Sequence, residues 1–216
     1  MTDIDLRQDV IDELEYEPSL DAADIGVAVE NGTVTLTGYV RSYAEKRTAE
    51  ATVKRVKGVR AIAQEIEVRP AGTHLTADDE IGKRATRSLD WNSSVPDETV
   101  QVKVEKGWVT LTGKVKWHFQ RTAAEKAVQG LAGVRGITNL VEIVPAISVT
   151  DVRQRIENAL KRDAELEAKR ISVAVKDSKV TLTGRVHSWA ERNAAERAAW
   201  AAPGVTTVED QISIGA

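Results

Sequence analysis

The stretch Val27-Ala-Val-Glu-Asn-Gly-Thr-Val-Thr-Leu-Thr-Gly-Tyr-Val40 decides the fold, because it holds two period-two strands around an Asn-Gly turn and occurs three times. Its counterparts are Val102-Lys-Val-Glu-Lys-Gly-Trp-Val-Thr-Leu-Thr-Gly-Lys-Val115 and Val173-Ala-Val-Lys-Asp-Ser-Lys-Val-Thr-Leu-Thr-Gly-Arg-Val186. Val-Thr-Leu-Thr-Gly is identical in all three. With Gly38, Gly113 and Gly184 as a common zero, the register runs without a gap in both directions. Leu6, Ile81 and Val152 share one column upstream, and Leu14, Leu89 and Leu160 another. Downstream, Val59, Val134 and Val205 align, as do Ile66, Val141 and Ile212. The reference glycines stand 75 and 71 residues apart, so the chain is a tandem repeat of modules of roughly 70 residues.

Working outward from the hairpin, each module opens with apolar residues at i, i+4 and i+8: Leu6, Val10, Leu14; Ile81, Ala85, Leu89; Val152, Ile156, Leu160. That spacing predicts a helix, with Asp5, Glu80 and Asp151 placed favourably near its start. The hairpin follows, its tip strongest at Asn31-Gly32 and weaker at Lys106-Gly107 and Asp177-Ser178. The glycine after Thr-Leu-Thr predicts a bulge or a close backbone approach. Ser42-x-x-Glu45 and Ser188-x-x-Glu191 read as capping boxes that start a second helix. Its core stripes are Ala49, Val53, Val56; Ala124, Val128, Leu131; and Ala195, Ala199, Ala202, with Gly58, Gly133 and Gly204 expected as C-terminal caps. A last strand closes the unit. The expected class is α+β: three tandem αββαβ modules, each a small three-stranded mixed sheet with two helices on one face. Boundaries fall near Pro70-Ala-Gly and Pro145-Ala, giving modules 1–70, 71–146 and 147–216.

This pattern, Gly-x-Val-Thr-Leu-x-Gly-x-Val followed by Ser-x-x-Glu and a Gly-Val-x-x-Val before the last strand, resembles the BON domain, named for bacterial osmotic-stress and nodulation proteins. The resemblance covers nearly the whole chain as three copies. The third departs at its hairpin tip, where Ser178-Lys179 replaces Gly32-Thr33 and Gly107-Trp108. It implies a non-enzymatic module, often periplasmic, that binds phospholipid surfaces and is linked to osmotic protection; one relative binds potassium in the cytoplasm.

Composition agrees with a soluble, non-catalytic chain. Of 216 residues, 42% are hydrophobic and 29% charged, and the formal charge is −3. The absence of cysteine excludes disulfides, thiolate metal sites and a cysteine nucleophile. There is no phosphate-binding glycine loop, nucleophile elbow or paired metal-ligand spacing, so neither enzyme activity, cofactor nor metal is expected. A charge balance without a basic stripe disfavours nucleic acid. No apolar run is long enough to span a membrane, and the acidic N-terminus lacks a secretory leader. A cytoplasmic location is expected, or a periplasmic one if a leader has been removed.

Only nine residues are aromatic. In the middle module Trp117 stands where Ser42 and Ser188 provide caps, and Lys116-Trp117-His118-Phe119-Gln120-Arg121 opens the second helix. Losing a cap costs about 1 kcal/mol, which some other contact must offset. Two readings stay open. Trp117 and Phe119 enter a lipid headgroup region while Lys114, Lys116 and Arg121 meet anionic phosphates, or they pack on a neighbouring module. His118 stands beside them. Trp91 ends the first helix of this module and can join either cluster, whereas Trp108 shares the outward parity of the strand threonines. In module 3, Trp189 lies in the first turn of the second helix and Trp200 takes the place of Lys54 and Gln129. Both are candidate contacts. The first module carries net charge −5, the others +1 each, so a bound membrane would face away from module 1. The leading expectation is a stress-related protein binding anionic phospholipid through module 2; the alternative is a chaperone-like or ion-sensing array that binds proteins or a monovalent cation.

Overall fold

The computed structural model describes residues 2–70, 77–144, 151–162 and 170–215. The chain forms two compact units, one of Met1–Lys114 with Phe119–Val141, the other of Val115–His118 with Glu142–Ala216. Most of each expected module boundary, at 71–76 and 145–150, lies outside the described residues.

Module 1 runs α1 (Asp3–Tyr16), β1 (Ile25–Glu30), β2 (Thr33–Val40), α2 (Tyr43–Val53), β3 (Ala61–Gln64) and β4 (Glu67–Val68). Module 2 repeats it as α3 (Asp78–Asp90), β5 (Val100–Glu105), β6 (Trp108–Val115), α4 (His118–Gln129), β7 (Gly136–Asn139) and β8 (Glu142–Ile143). Module 3 has α5 (Val152–Arg162), β9 (Ile171–Lys176), β10 (Lys179–Val186), α6 (Trp189–Trp200) and β11 (Thr207–Ile214). The second strand is central each time, antiparallel to the first and parallel to the last. The fold is the expected mixed α+β. One detail differs: the last strand of modules 1 and 2 is broken into two segments, whereas β11 is continuous. The break leaves the register unchanged, because Leu36 faces Gln64 before it and Tyr39 faces Glu67 after it.

The core follows the sequence columns. Leu6, Val10 and Leu14 of α1, Val34, Leu36 and Val40 of β2 and Ala49 and Val53 of α2 are all buried. The same columns are buried in modules 2 and 3. Each fully buried Leu or Val contributes about 1.5–3 kcal/mol, so the shared apolar face holds these short elements together. The strand threonines on the opposite parity, Thr37, Thr112 and Thr183, are exposed.

Local chemistry explains the ends. Thr2 caps α1 and closes a capping box with Asp5. Asp3 accepts from the Asn31 and Gly32 amides (2.7 and 3.1 Å), and Asp78 accepts from Lys106 and Gly107 (2.7 and 2.8 Å), clipping each helix start to the hairpin tip. Those tips have positive φ at both central residues, 51° and 74° in module 1, as a twist-matched two-residue hairpin needs. Gly38, Gly113 and Gly184 have φ of 100°, 135° and 140°. A Cβ at any of them would land on the carbonyl oxygen of Asp24, Thr99 or Arg170, so the expected close approach is real. The expected glycine caps are displaced, however. The second helices end earlier, with Lys54 and Ala201 as right-handed C-caps, and Gly58 and Gly204 turn the chain toward the last strand with φ of 98° and 87°.

Candidate functional site

The turn between β6 and α4 is where module 2 departs most from its neighbours. In modules 1 and 3 the Ser42 and Ser188 hydroxyls accept from the Glu45 and Glu191 amides at 3.1 and 3.2 Å. The glutamates reach one residue past the cap, to the Arg41 and His187 amides (3.2 and 3.0 Å). Trp117 has no hydroxyl to offer. Its side chain is 40% exposed, so the larger part of the indole is covered. Full burial of an aromatic removes 150–250 Å² from water, and the covered part is worth about 2–4 kcal/mol at about 25 cal/mol/Å². That exceeds the cap it replaces. Packing of Trp117 therefore offsets the lost cap without any lipid.

The candidate residues do not form one cluster. His118 stacks on Trp200 within the second unit, with ring centroids 3.9 Å apart and planes inclined by 10°. Phe119 is 57% exposed. Lys114 and Lys116 are exposed on either side of buried Val115. Arg121 turns inward instead: its guanidinium donates to the Asn139 carbonyl at 2.9 Å, and the Asn139 amide donates back to the Arg121 carbonyl at 2.9 Å. Trp91 is 88% exposed at the end of α3. Ser88 of α3 donates to the Ala127 carbonyl at 2.7 Å, which sets that end of α3 beside the end of α4. Eight residues at 1.5 Å each put Ala127 roughly 12 Å along α4 from Phe119, so Trp91, three residues beyond Ser88, belongs to the other end of that helix pair.

Trp108 has its own explanation on the open sheet face. Its Nε1 donates to Thr138 Oγ1 at 2.8 Å, and its ring lies so closely over Gly136 that a Cβ there would strike it. Modules 1 and 3 have Thr33 and Lys179 in place of the indole and Ala61 and Thr207 in place of the glycine, so the large and small residues occur as a pair. In module 3 the Arg192 guanidinium lies 5.1 Å from the Trp189 ring centre, and Trp200 packs against the module core while donating to Glu196 at 3.4 Å.

One repeated tie was not anticipated. Eight residues after the reference glycine stands a cation, and twenty-six after it an amide or carboxylate: Lys46 with Gln64, Arg121 with Asn139, Arg192 with Asp210. Gln64 donates to the Lys46 carbonyl at 3.1 Å, and Arg192 Nε donates to Asp210 at 2.6 Å. The signal was in the aligned columns, where charge recurs as regularly as apolar character. Among the described residues no group of three or more His, Asp or Glu side chains is placed to hold a metal, and no helix is long and apolar enough to cross a membrane.

Comparison with known proteins gives three findings. A family model described as BON domain matches residues 2–70, 77–145 and 148–216. Osmotically-inducible protein Y of Escherichia coli (strain K12) is 30% identical over 126 residues, 56% of this chain and 62% of that protein's own length. Among solved structures, CdsD, a structural protein of the type III secretion system of Chlamydia trachomatis, aligns at 14% identity with a TM-score of 0.26, covering 98% of this chain and 92% of its own. The PrgH periplasmic domain aligns at 11% identity with a TM-score of 0.22, covering 95% and 100%. Neither alignment carries an argument at those scores.

Proposed function

The chain belongs to the BON domain family and is built of three such domains, and from that premise we propose that it is a non-catalytic, stress-related protein that meets an anionic phospholipid surface through the Lys114–Phe119 stretch. The relative's name ties one family member to osmotic induction, and the same stress is the proposed setting here. The observation that carries the membrane reading is an exposed Phe119 and a part-exposed Trp117 beside Lys114 and Lys116. Aromatic edges favour the headgroup layer and lysines favour anionic lipid, with each cation near the surface worth about 1 kcal/mol. Trp91, Trp108 and Arg121 are not part of this contact.

Co-sedimentation with anionic vesicles at low salt tests the reading. Wild type binds, added salt weakens binding, and both Lys114→Glu/Lys116→Glu and Trp117→Ser/Phe119→Ala reduce it several-fold. The charge variant guards against mere unfolding of the aromatic one. Failure of wild type to bind anionic vesicles at low salt overturns it.

A second reading keeps the chain off membranes, with its aromatics serving protein or small-ion binding. The His118–Trp200 stack favours it, since it takes those two rings out of the aromatic set that a membrane would meet. Native mass spectrometry of the purified chain and calorimetry with potassium and calcium separate the readings: a retained protein partner or measurable heat, together with absent vesicle binding, selects the second.

A further inference from the structure

The face made by the two helices of a module changes sign along the chain. In module 1 the groove between α1 and α2 is lined by Asp9, Asp12, Glu13, Tyr16, Arg55 and Val56. The same columns in module 3 give Arg155, Asn158, Ala159, Arg162, Ala201 and Ala202 between α5 and α6. Asp9 is thus replaced by Arg155 and Tyr16 by Arg162, Asp12 gives way to the neutral Asn158, and Glu13, Arg55 and Val56 give way to alanine.

On α1, Arg55 is shared by Glu13 and Glu17 (3.1 and 3.3 Å), while Asp9 and Asp12 point to solvent on the same face as Tyr16, which is 83% exposed. Asp9 and Tyr16 stand seven residues apart, about 10 Å along the helix. On α5, Arg155 and Arg162 have the same separation and are exposed. Between them Ala159, Ala198 and Ala202 floor a cavity of about 300 Å³. In module 2 the Ala159 column holds Ser88, which bridges to the Ala127 carbonyl, so the alanine floor is particular to module 3.

We propose that the α1 ridge of one chain docks in the α5–α6 groove of a second copy, with Tyr16 entering the alanine-floored cavity and Asp9 and Asp12 facing Arg155 and Arg162. Opposite charge and a protruding ring opposite a hollow argue for this occupant. The surfaces that meet are different, so the contact is head-to-tail and does not close on itself by two-fold symmetry. Its small size makes it weak, and its charge makes it sensitive to ionic strength.

Sedimentation velocity of the full chain over a range of concentrations tests it. At low salt the average mass rises with concentration and passes that of a dimer; at about 1 M salt, where the screening length is about 3 Å, it returns to the monomer. Asp9→Lys/Asp12→Lys and Arg155→Glu/Arg162→Glu change only exposed residues, and each variant alone stays monomeric. Mixed in equal amounts, each ridge meets a complementary groove on the other variant, Lys against Glu and Asp against Arg, so the mixture regains open-ended growth with the two variants in alternation. Combining all four changes in one chain restores open-ended growth. A wild type that stays monomeric at low salt, single-site variants that associate as wild type does, or a mixture that fails to pair would each overturn the proposal.

Discussion

Gly38 bears on stability out of proportion to its size. Its φ of 100° lies where an L side chain is strained, and a Cβ would collide with the backbone oxygen of Asp24, which cannot swing aside as a flexible side chain can. Gly38→Ala is therefore expected to destabilise by about 1–3 kcal/mol from backbone strain alone, with the collision adding to it. Gly130 is the control, since nothing lies within 4 Å of its added Cβ and its φ is not positive. Gly130→Ala should leave stability unchanged or raise it by up to about 1 kcal/mol. Urea unfolding of the two variants checks this, and equal losses would refute the account. Gly136 shows a different use of the residue, a floor that lets the Trp108 ring lie against the sheet.

Helices and strands are tied by the recurrent cation and its partner as well as by apolar burial. Arg192 and Asp210 are largely covered, and Asp210 also accepts from the Ile212 amide at 2.9 Å. Asp210→Ala would leave the guanidinium without its acceptor, a loss of about 1.5–3 kcal/mol for a hydrogen bond to a charged group. Asp210→Asn should cost less, because Asn139 fills this column in module 2 and accepts from the Val141 amide in the same way. A urea series on wild type and both variants reads the difference; an alanine variant as stable as the asparagine one would sink it. Much of this scale was legible beforehand. The i, i+4, i+8 columns, the alternating strands and the Ser42 and Ser188 caps follow from local spacing, and the hairpin tips from the need for positive φ. The Asp3 and Asp78 clips and the Arg121–Asn139 tie were not, because they join residues 18 to 29 positions apart whose pairing is set only once sheet and helices have packed. The site suffered for the same reason: sequence order placed Trp117 and Arg121 in one basic-aromatic stretch, whereas packing turned one inward and left the other at the surface.

Across the whole molecule, a few carboxylates held by specific hydrogen bonds shape the response to acid. In module 1, Asp5 is held below the usual carboxylate range by hydrogen bonds from the Thr2 backbone and hydroxyl, and Glu17 by hydrogen bonds from Ser19 and then Arg55. In module 3, Glu209 is lowered chiefly by Lys179. In module 2, Lys83 is raised by hydrogen bonds to Glu80 and Asp79. A carboxylate whose folded pKa is depressed contributes stability that is complete above its unfolded value and disappears as pH falls through the folded one. The raised lysine behaves oppositely, contributing below its unfolded value and losing that support as pH climbs through the folded one. Acidification should therefore leave these three carboxylate contributions intact down to the ordinary carboxylate range, then weaken the two ends of α1 and the β10–β11 pair as pH falls further. Hydrogen exchange followed along the chain during an acid titration would locate the loss at those segments. Ser19→Ala, which removes the largest cause at Glu17, should bring that carboxyl back toward its ordinary value of 4.5 in an NMR titration and flatten the acid loss at the end of α1. An unmoved Glu17 titration, or an acid loss at the end of α1 that is the same with and without Ser19, would show that hydrogen bonding to this exposed carboxylate does not set the pH response.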